Sequence, residues 1–303
     1  MARRKKGNPV HGWVVLDKPI GITSTQAVGA VRRLFGAQKA GHAGTLDPLA
    51  TGILPIALGE ATKTVPFAVD GEKSYRFSVR FGAETDTDDA EGKIVRTSDK
   101  LPTPDEIEDI LEDFIGEISQ VPPAFSAIKI DGNRAYDLAR SGEEVVLEAR
   151  TIVIEDLRLV AMADEATAVL EADCGKGTYV RALARDMGRM LGSAGHVVAL
   201  RRTRVGGFDE EIAIPLVTLA EAAEQGDVMS YLQPVEAALD DIPGLGMSQN
   251  DAASLSRGQA VLVRGRDAPV MTGAAWAHFK GRILALGELE KGEFRPTRVF
   301  NFG

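Results

Sequence analysis

Cysteine is almost absent from these 303 residues. Cys174 stands alone, which excludes an internal disulfide and any zinc site built on paired cysteines. Histidine is nearly as scarce: His11, His42, His196 and His278 are scattered, and none belongs to an HExxH pair. No apolar run approaches the roughly 20 residues of a membrane-spanning helix. Arg3, Arg4, Lys5 and Lys6 are followed by no apolar core, so a secretory signal is not expected and a cytoplasmic protein fits. Positive charge is in deficit as well. A formal net charge of -9 argues against indiscriminate coating of nucleic acid. It leaves room for a local basic groove, because exposed charges reach only about 8 Å at physiological salt. The N-terminal run and Arg201, Arg202 and Arg204 are candidates, although a solvated face explains either cluster nearly as well. Loops that mark common cofactor enzymes are missing too. There is no G-x-G-x-x-G after the first apolar stretch and no G-x-S-x-G elbow, and the glycine-rich turn at Lys176 lacks the leading glycine of a Walker A loop.

Glycine, by contrast, is plentiful. Gly41, Gly44 and Gly52 bracket His42 and Asp47 in Gly41-His42-Ala43-Gly44-Thr45-Leu46-Asp47-Pro48-Leu49-Ala50-Thr51-Gly52. Glycine allows positive φ and close approach of a ligand. Pro48 biases Asp47 away from the α region. Asp47 is therefore expected on a fixed, irregular loop anchored by a buried strand over Ile53–Leu58. An aspartate that merely hydrogen-bonds its own turn is an equally good reading of this stretch alone.

Elsewhere the chain reads as a mixed α/β protein. Gly12–Leu16 forms a strand, and Thr23 with Gln26 has the spacing of a capping box ahead of a helix striped by Val28, Val31, Leu34 and Phe35. Lys73–Phe81 alternates cleanly, which makes Tyr75 a core residue on pattern alone. Glu84, Asp86, Asp88, Asp89 and Glu91 crowd a short loop. A calcium loop starting at Asp86 would put Glu91 and Thr97 where glycine and a bidentate glutamate belong, so a solvated turn is the default. Thr103–Glu106 opens a second capped helix, and Val121–Arg150 reads as a turn-rich excursion with Asp131-Gly132-Asn133, a short helix near Ala135–Arg140, and Lys129 and Arg134. Strands near Thr151–Ala161 and Ala166–Cys174 lead to Gly175-Lys176-Gly177 and a helix from Val180, then a strand from Gly195 to Arg202. A boundary is placed at residues 242/243. The tail, with strands at Ala260–Val263, Val270–Met271, Ile283–Glu288 and Thr297–Phe300, reads as a small barrel.

The glycine-bracketed stretch resembles the signature of the TruB family of tRNA pseudouridine synthases. Further motifs of that family follow in order: Leu16-Asp17-Lys18-Pro19 with Gly21 and Ser24, Lys73 with Tyr75, Thr85-Asp86-Thr87-Asp88 with Gly92, Lys176-Gly177-Thr178-Tyr179-Val180-Arg181, and Leu200-Arg201-Arg202-Thr203. The resemblance spans nearly the whole chain. It implies a catalytic domain over 1–242 with a central antiparallel sheet and a thumb-like insertion at about 121–150. A β-rich RNA-binding domain of the PUA type over 243–303 matches more loosely. It implies isomerisation of uridine 55 in the T loop of tRNA to pseudouridine, without metal or organic cofactor, by a monomer whose partner is the T arm of tRNA.

Residue by residue, the resemblance makes Asp47 the catalytic aspartate, Arg181 its ionic partner and Tyr75 the platform for the flipped base. His42 is expected to insert into the RNA loop. Asp89 is expected to anchor Arg181 or Tyr179, while Lys18, Pro19 and Leu200 support the wall of the site, and Gly44 and Thr45 belong to the same substrate-binding loop. A T-arm folding chaperone that needs no chemistry, or a synthase for another uridine, would use the same surface.

Overall fold

The computed structural model describes residues 7–126, 128–130, 133–136, 141, 145–263 and 272–302. Its first strand, β1 (Gly12–Lys18), is followed by helix α1 (Ser24–Leu34). The expected capping box is present, with Thr23 and Gln26 satisfying each other's backbone N–H groups. The core side of α1 is Ala27, Val31 and Phe35, with Val28 and Leu34 only half-buried. After the short strand β2 (Ala40–His42) the glycine-bracketed loop runs into β3 (Thr51–Leu58), which is buried from its second residue to its last. The alternating strand is β4 (Lys73–Phe81); helix α2 (Pro104–Leu111) and strand β5 (Gly116–Gln120) follow. The long hairpin is β6 (Arg150–Asp164) and β7 (Thr167–Cys174). Helix α3 (Val180–Met190), strand β8 (Gly195–Val205), strand β9 (Ile214–Pro215) and helix α4 (Leu216–Glu224) complete this part.

The main sheet runs β9-β1-β3-β8-β4-β7-β6-β5. Most of its pairings are antiparallel; β1 with β9 and β3 with β8 are parallel. One face packs α3 and α2 against Phe77, Val79, Leu170 and Ile154. A second core places α1 and α4 on Val14, Leu16, Leu54 and Ile56. Leu200 touches both cores. No helix among the described residues is long and apolar enough to cross a membrane.

A second sheet begins at β10 (Gly244–Gly246). After helix α5 (Gln249–Leu255) come β11 (Val261–Leu262), β12 (Gly273–Phe279), β13 (Arg282–Glu290) and β14 (Glu293–Val299), in the order β10-β12-β13-β14-β11. The strand expected at Val270–Met271 lies outside the described residues, as do Asp131, Gly132 and most of the helix expected near Ala135–Arg140. Strand β12 was not foreseen. The tail is no free appendage. Ile283, Leu286 and Phe300 share one buried cluster with Trp13, Val15, Ile53 and Ala57 of the main sheet. Lys63 caps the Val299 carbonyl at 2.8 Å, and Glu60 accepts from the Asn301 N–H at 2.8 Å.

Candidate active site

Three side chains hold the backbone on either side of Asp47. The Ser24 hydroxyl, from the first turn of α1, takes both backbone groups of Leu46, at 2.8 Å from N–H and 3.0 Å to the carbonyl. Lys18, at the end of β1, has no exposed surface. Its Nζ donates to the carbonyls of Ile22 at 2.8 Å, Pro19 at 3.0 Å and Pro48 at 3.5 Å. Arg202 of β8 donates from Nε to the Ile53 carbonyl at 2.8 Å, and from Nη2 and Nη1 to Gly44 at 3.1 Å and Thr45 at 3.5 Å. Two glycines are obligatory here. Gly44 has φ +88 and a Cβ there would lie 3.2 Å from Arg202 Nη1. Gly52 has φ +95 and a Cβ would sit 2.1 Å from the Arg202 carbonyl oxygen. The loop is thus fixed peptide by peptide, as the sequence led one to expect for Asp47.

The Asp47 carboxylate leaves this loop toward helix α3. Its Oδ2 lies 3.0 Å from Nη2 of Arg181, and 39% of the side chain remains exposed. Arg181 occupies the first turn of α3, with its side chain 7% exposed. It donates to the carbonyls of Thr87 at 2.8 Å and Phe125 at 2.9 Å, and its Nη1 stands 3.5 Å from Asp89. Two further arginines follow at intervals of four, one turn apart on the same face of the helix. Arg185 meets Asp88 at 2.9 Å and Arg189 grips Glu84.

The acidic loop is therefore no solvated turn. Glu84, Asp88 and Asp89 are buried because the three arginines receive them. Asp88 adopts φ 59, a left-handed conformation that aspartate tolerates better than most residues. Its carbonyl accepts from the Val197 N–H at 3.0 Å, which welds the loop to β8. Asp89 is oriented by the Thr87 hydroxyl at 2.6 Å and the Glu91 N–H at 3.0 Å.

Tyr75 and Tyr179 flank this pair. Tyr75 is 9% exposed, packed in the cluster of Phe77, Cys174 and Val180, and burial raises its phenol pKa. Tyr179 precedes α3, and burial raises its phenol too. Its backbone is clamped on both sides by Gln120, whose amide accepts from N–H at 2.9 Å and donates to C=O at 3.2 Å. The charge of Asp47 is felt at Tyr75, Tyr179 and Lys18. Burial lowers the Lys18 pKa to about 8. His42 pairs through its backbone with Ile56, is half-buried, and is held below its ordinary pKa by burial. It makes no ion pair with Asp47. Pro19 and Lys18 line a cleft of about 600 Å³ with Asp17, Thr51, Arg201 and Leu216, apart from Asp47. Leu200 is half-buried, and its carbonyl accepts from Thr51 at 3.4 Å. Cys174 is buried, with its thiol pushed up to about 11, and acts as a small core residue.

Sequence reasoning missed Arg202 as an individual. It stood in a charged cluster and was read with Arg201 and Arg204 as a basic face. Period-two alternation was the available signal, since it puts Arg202 on the same face of β8 as Leu200. Arg201, on the other face, is salt-bridged to Asp17 at 2.9 Å and to Glu210 at 2.5 Å. Gln120 carried no sequence signal at all.

What remains is one half-exposed carboxylate on a rigid loop, one arginine nitrogen on one of its oxygens, and two tyrosines that feel its charge. Such a group can act as a nucleophile or a base. Among the described residues no three His, Cys, Asp or Glu side chains converge as a metal site.

Residues 32–180 match the N-terminal domain of the TruB family of pseudouridylate synthases, and residues 181–240 match the C-terminal domain of tRNA pseudouridylate synthase B. Proteins named tRNA pseudouridine synthase B are similar over the full length. The one from Nitrobacter winogradskyi is 59% identical, covering 98% of this chain and 85% of its own. The one from Rhodopseudomonas palustris is also 59% identical, with 98% and 83% covered. Among solved structures, the archaeal box H/ACA sRNP Nop10-Cbf5 complex shares the fold with a TM-score of 0.74 at 24% identity, over 99% of this chain and 93% of that one. A Cbf5-Nop10-Gar1 complex gives 0.73 at 26%, with 97% and 86% covered.

Proposed function

Because the chain belongs to the TruB family of pseudouridine synthases, we propose that it converts uridine 55 in the T loop of tRNA to pseudouridine, with Asp47 as the catalytic group. Isomerising a tRNA uridine is the family's activity. The position, and the residue roles below, are the proposal. The observation that carries it is the Asp47 carboxylate, fixed against Arg181 by a loop tied at Gly44, Thr45, Leu46 and Pro48, yet still 39% exposed.

The reaction conserves atoms. The bond from the sugar C1′ to N1 of uracil breaks, the base turns, and C1′ bonds to C5. C5 gives up a proton and N1 ends with one. The base must first leave its stack, at a cost of a few kcal/mol. His42 fills the space in the RNA loop, and the ring of Tyr75 carries the base. Arg181 spreads positive charge over one Asp47 oxygen while the other faces the sugar. Tyr179, Gly44 and Thr45 line the approach; Lys18, Pro19 and Leu200 hold the wall, and Asp89 anchors Arg181. One chain supplies all of these groups, so no second subunit is needed to complete the site; in this proposal the protein acts as a monomer on tRNA in the cytoplasm.

Incubation of the purified protein with unmodified tRNA, followed by mapping of pseudouridine by position, tests the reading. Pseudouridine at position 55 alone is the expected result. Modification elsewhere, or none, overturns it.

A further inference from the structure

Helix α3 carries Arg181, yet it starts without a cap of its own. Its N-cap residue, Tyr179, makes no side-chain hydrogen bond to the first turn, where aspartate, serine or threonine is usual. The peptide from which the helix springs is held from outside instead. Gln120, the last residue of β5, is 2% exposed and turns its carboxamide onto Tyr179. Its Oε1 accepts from the Tyr179 N–H at 2.9 Å, and its Nε2 donates to the Tyr179 carbonyl at 3.2 Å. The same carbonyl takes the first hydrogen bond of the helix, from the Leu183 N–H at 3.1 Å. A carboxamide sets a donor beside an acceptor, so it grips a peptide from both ends.

The place of Gln120 in the sheet is equally particular. It pairs with Arg150 of β6, so it stands at the neck where the excursion over 121–150 leaves the sheet and returns. Just past the neck, α3 reaches back to the chain. Arg185 donates to the Val121 carbonyl at 2.8 Å, and Arg181 to the Phe125 carbonyl at 2.9 Å. The Arg181 nitrogen on Phe125 is Nη2, the one that lies 3.0 Å from Asp47 Oδ2. Segment 120–125 thus holds the backbone at the start of α3 and the tip of the arginine that meets Asp47. We propose that Gln120 is a positioning residue of the reaction: by clamping the Tyr179 peptide it fixes where Arg181, two residues on, meets Asp47. The proposal rests on the synthase reading above, in which Asp47 is the catalytic group. Gln120 acts through α3 and not on the RNA.

A double-mutant cycle of Gln120→Met and Arg181→Lys tests it, read by single-turnover rates at saturating unmodified tRNA and by tRNA affinity. Gln120→Met keeps the length of the side chain and removes both ends of the grip. It should slow the chemical step about 10-fold, because a small displacement of a group that positions the reacting carboxylate is costly, with affinity unchanged. In the Arg181→Lys background the same change should cost less than about 2-fold more, because the guanidinium it places is gone. Factors that multiply across the cycle would overturn the proposal, as would a wild-type rate in Gln120→Met or a loss confined to affinity. If the methionine variant does not melt cooperatively, Gln120→Leu takes its place in the same cycle. A second readout does not need turnover. Amide hydrogen exchange at Tyr179 should speed up at least about 10-fold in the Gln120 variant, since its N–H has lost its acceptor, while exchange in the middle of β4 stays as in wild type. Unchanged exchange at Tyr179 refutes the clamp. If the wild type makes no pseudouridine, the synthase reading has failed, and this exchange still decides the clamp.

Discussion

The two sides of Asp47 bury their cations in different ways. On the loop side, Lys18 and Arg202 donate to backbone carbonyls, and no carboxylate among the described residues forms an ion pair with either. On the helix side, Arg181, Arg185 and Arg189 meet Asp89, Asp88 and Glu84 in turn, with Asp186 also on Arg185 and Arg96 also on Glu84. Carbonyls fix the path of the backbone but leave the cation's charge uncancelled. Carboxylates cancel the charge and tie two elements together without dictating φ and ψ. The first arrangement suits a loop that must hold one conformation beneath a reacting anion. The second suits a joint between a helix and a loop. Arg181 belongs to both, because it alone reaches Asp47 across the divide.

Removing the anion at the meeting point should have the largest effect. Asp47→Asn keeps the shape and loses the charge, so single-turnover pseudouridine formation should fall by about 10³-fold or more. Fold and tRNA affinity should stay near wild type, since the loop is held by its neighbours' backbone. Wild-type turnover in this variant would remove Asp47 as the catalyst. Arg181 comes next. Arg181→Lys retains a charge but not the fork, and should slow the chemical step about 10²-fold. Arg181→Met should also destabilise by about 3 kcal/mol, because it leaves Asp89 buried without its partner. Equal melting temperatures for Met and Lys variants would mean that Asp89 does not depend on Arg181. The loop side is probed by Lys18→Met. Three carbonyls lose their donor there, at about 2 kcal/mol of stability overall. Urea unfolding measures it, and an unchanged midpoint would show that those carbonyls find other donors.

The contrast also explains what could be read in the sequence. The Asp47 loop was legible because glycine, proline and aspartate each restrict the backbone locally. Thr23 and Thr103 announced their helices by the same local logic, and both capping boxes formed. Strand β4 was legible because its two faces differ in every second residue. Arg202 was hidden because its acceptors lie 149 to 158 residues away and are backbone atoms with no sequence signature. The burial of the acidic loop was hidden for a related reason. Its carboxylates were visible and so were the arginines at 181, 185 and 189, but only the packing of α3 onto β8 and β4 brings them together. Strand β12 was missed because Gly273, Ala274 and Ala275 carry no β-branched or aromatic signal. The shared core under the tail was missed because Trp13 and Phe300 stand at opposite ends of the chain.

The smallest effect sharpens the helix side. Asp88 sits 2.9 Å from Arg185, yet its carboxyl pKa is raised from 3.8 to about 6, because burial outweighs the arginine's attraction. The folded state then binds a proton more readily than the unfolded chain between pH 3.8 and 6. Stability from this group therefore rises as pH falls through that window and is lost as pH climbs out of it. Asp88→Asn imitates the protonated acid at every pH and does not titrate. Other carboxylates titrate in both proteins and cancel from the difference. The melting temperature of Asp88→Asn minus that of wild type should thus shrink on going from pH 7.5 to pH 5, by roughly 2–3 °C if about 1 kcal/mol is at stake. A difference that grows on acidification would mean that Arg185 holds Asp88 below its ordinary pKa, and that each rung of the arginine ladder gains more from its charge than burial costs it. A difference that does not change with pH would leave Asp88 with the same proton affinity folded and unfolded, the attraction of Arg185 and the cost of burial being equal.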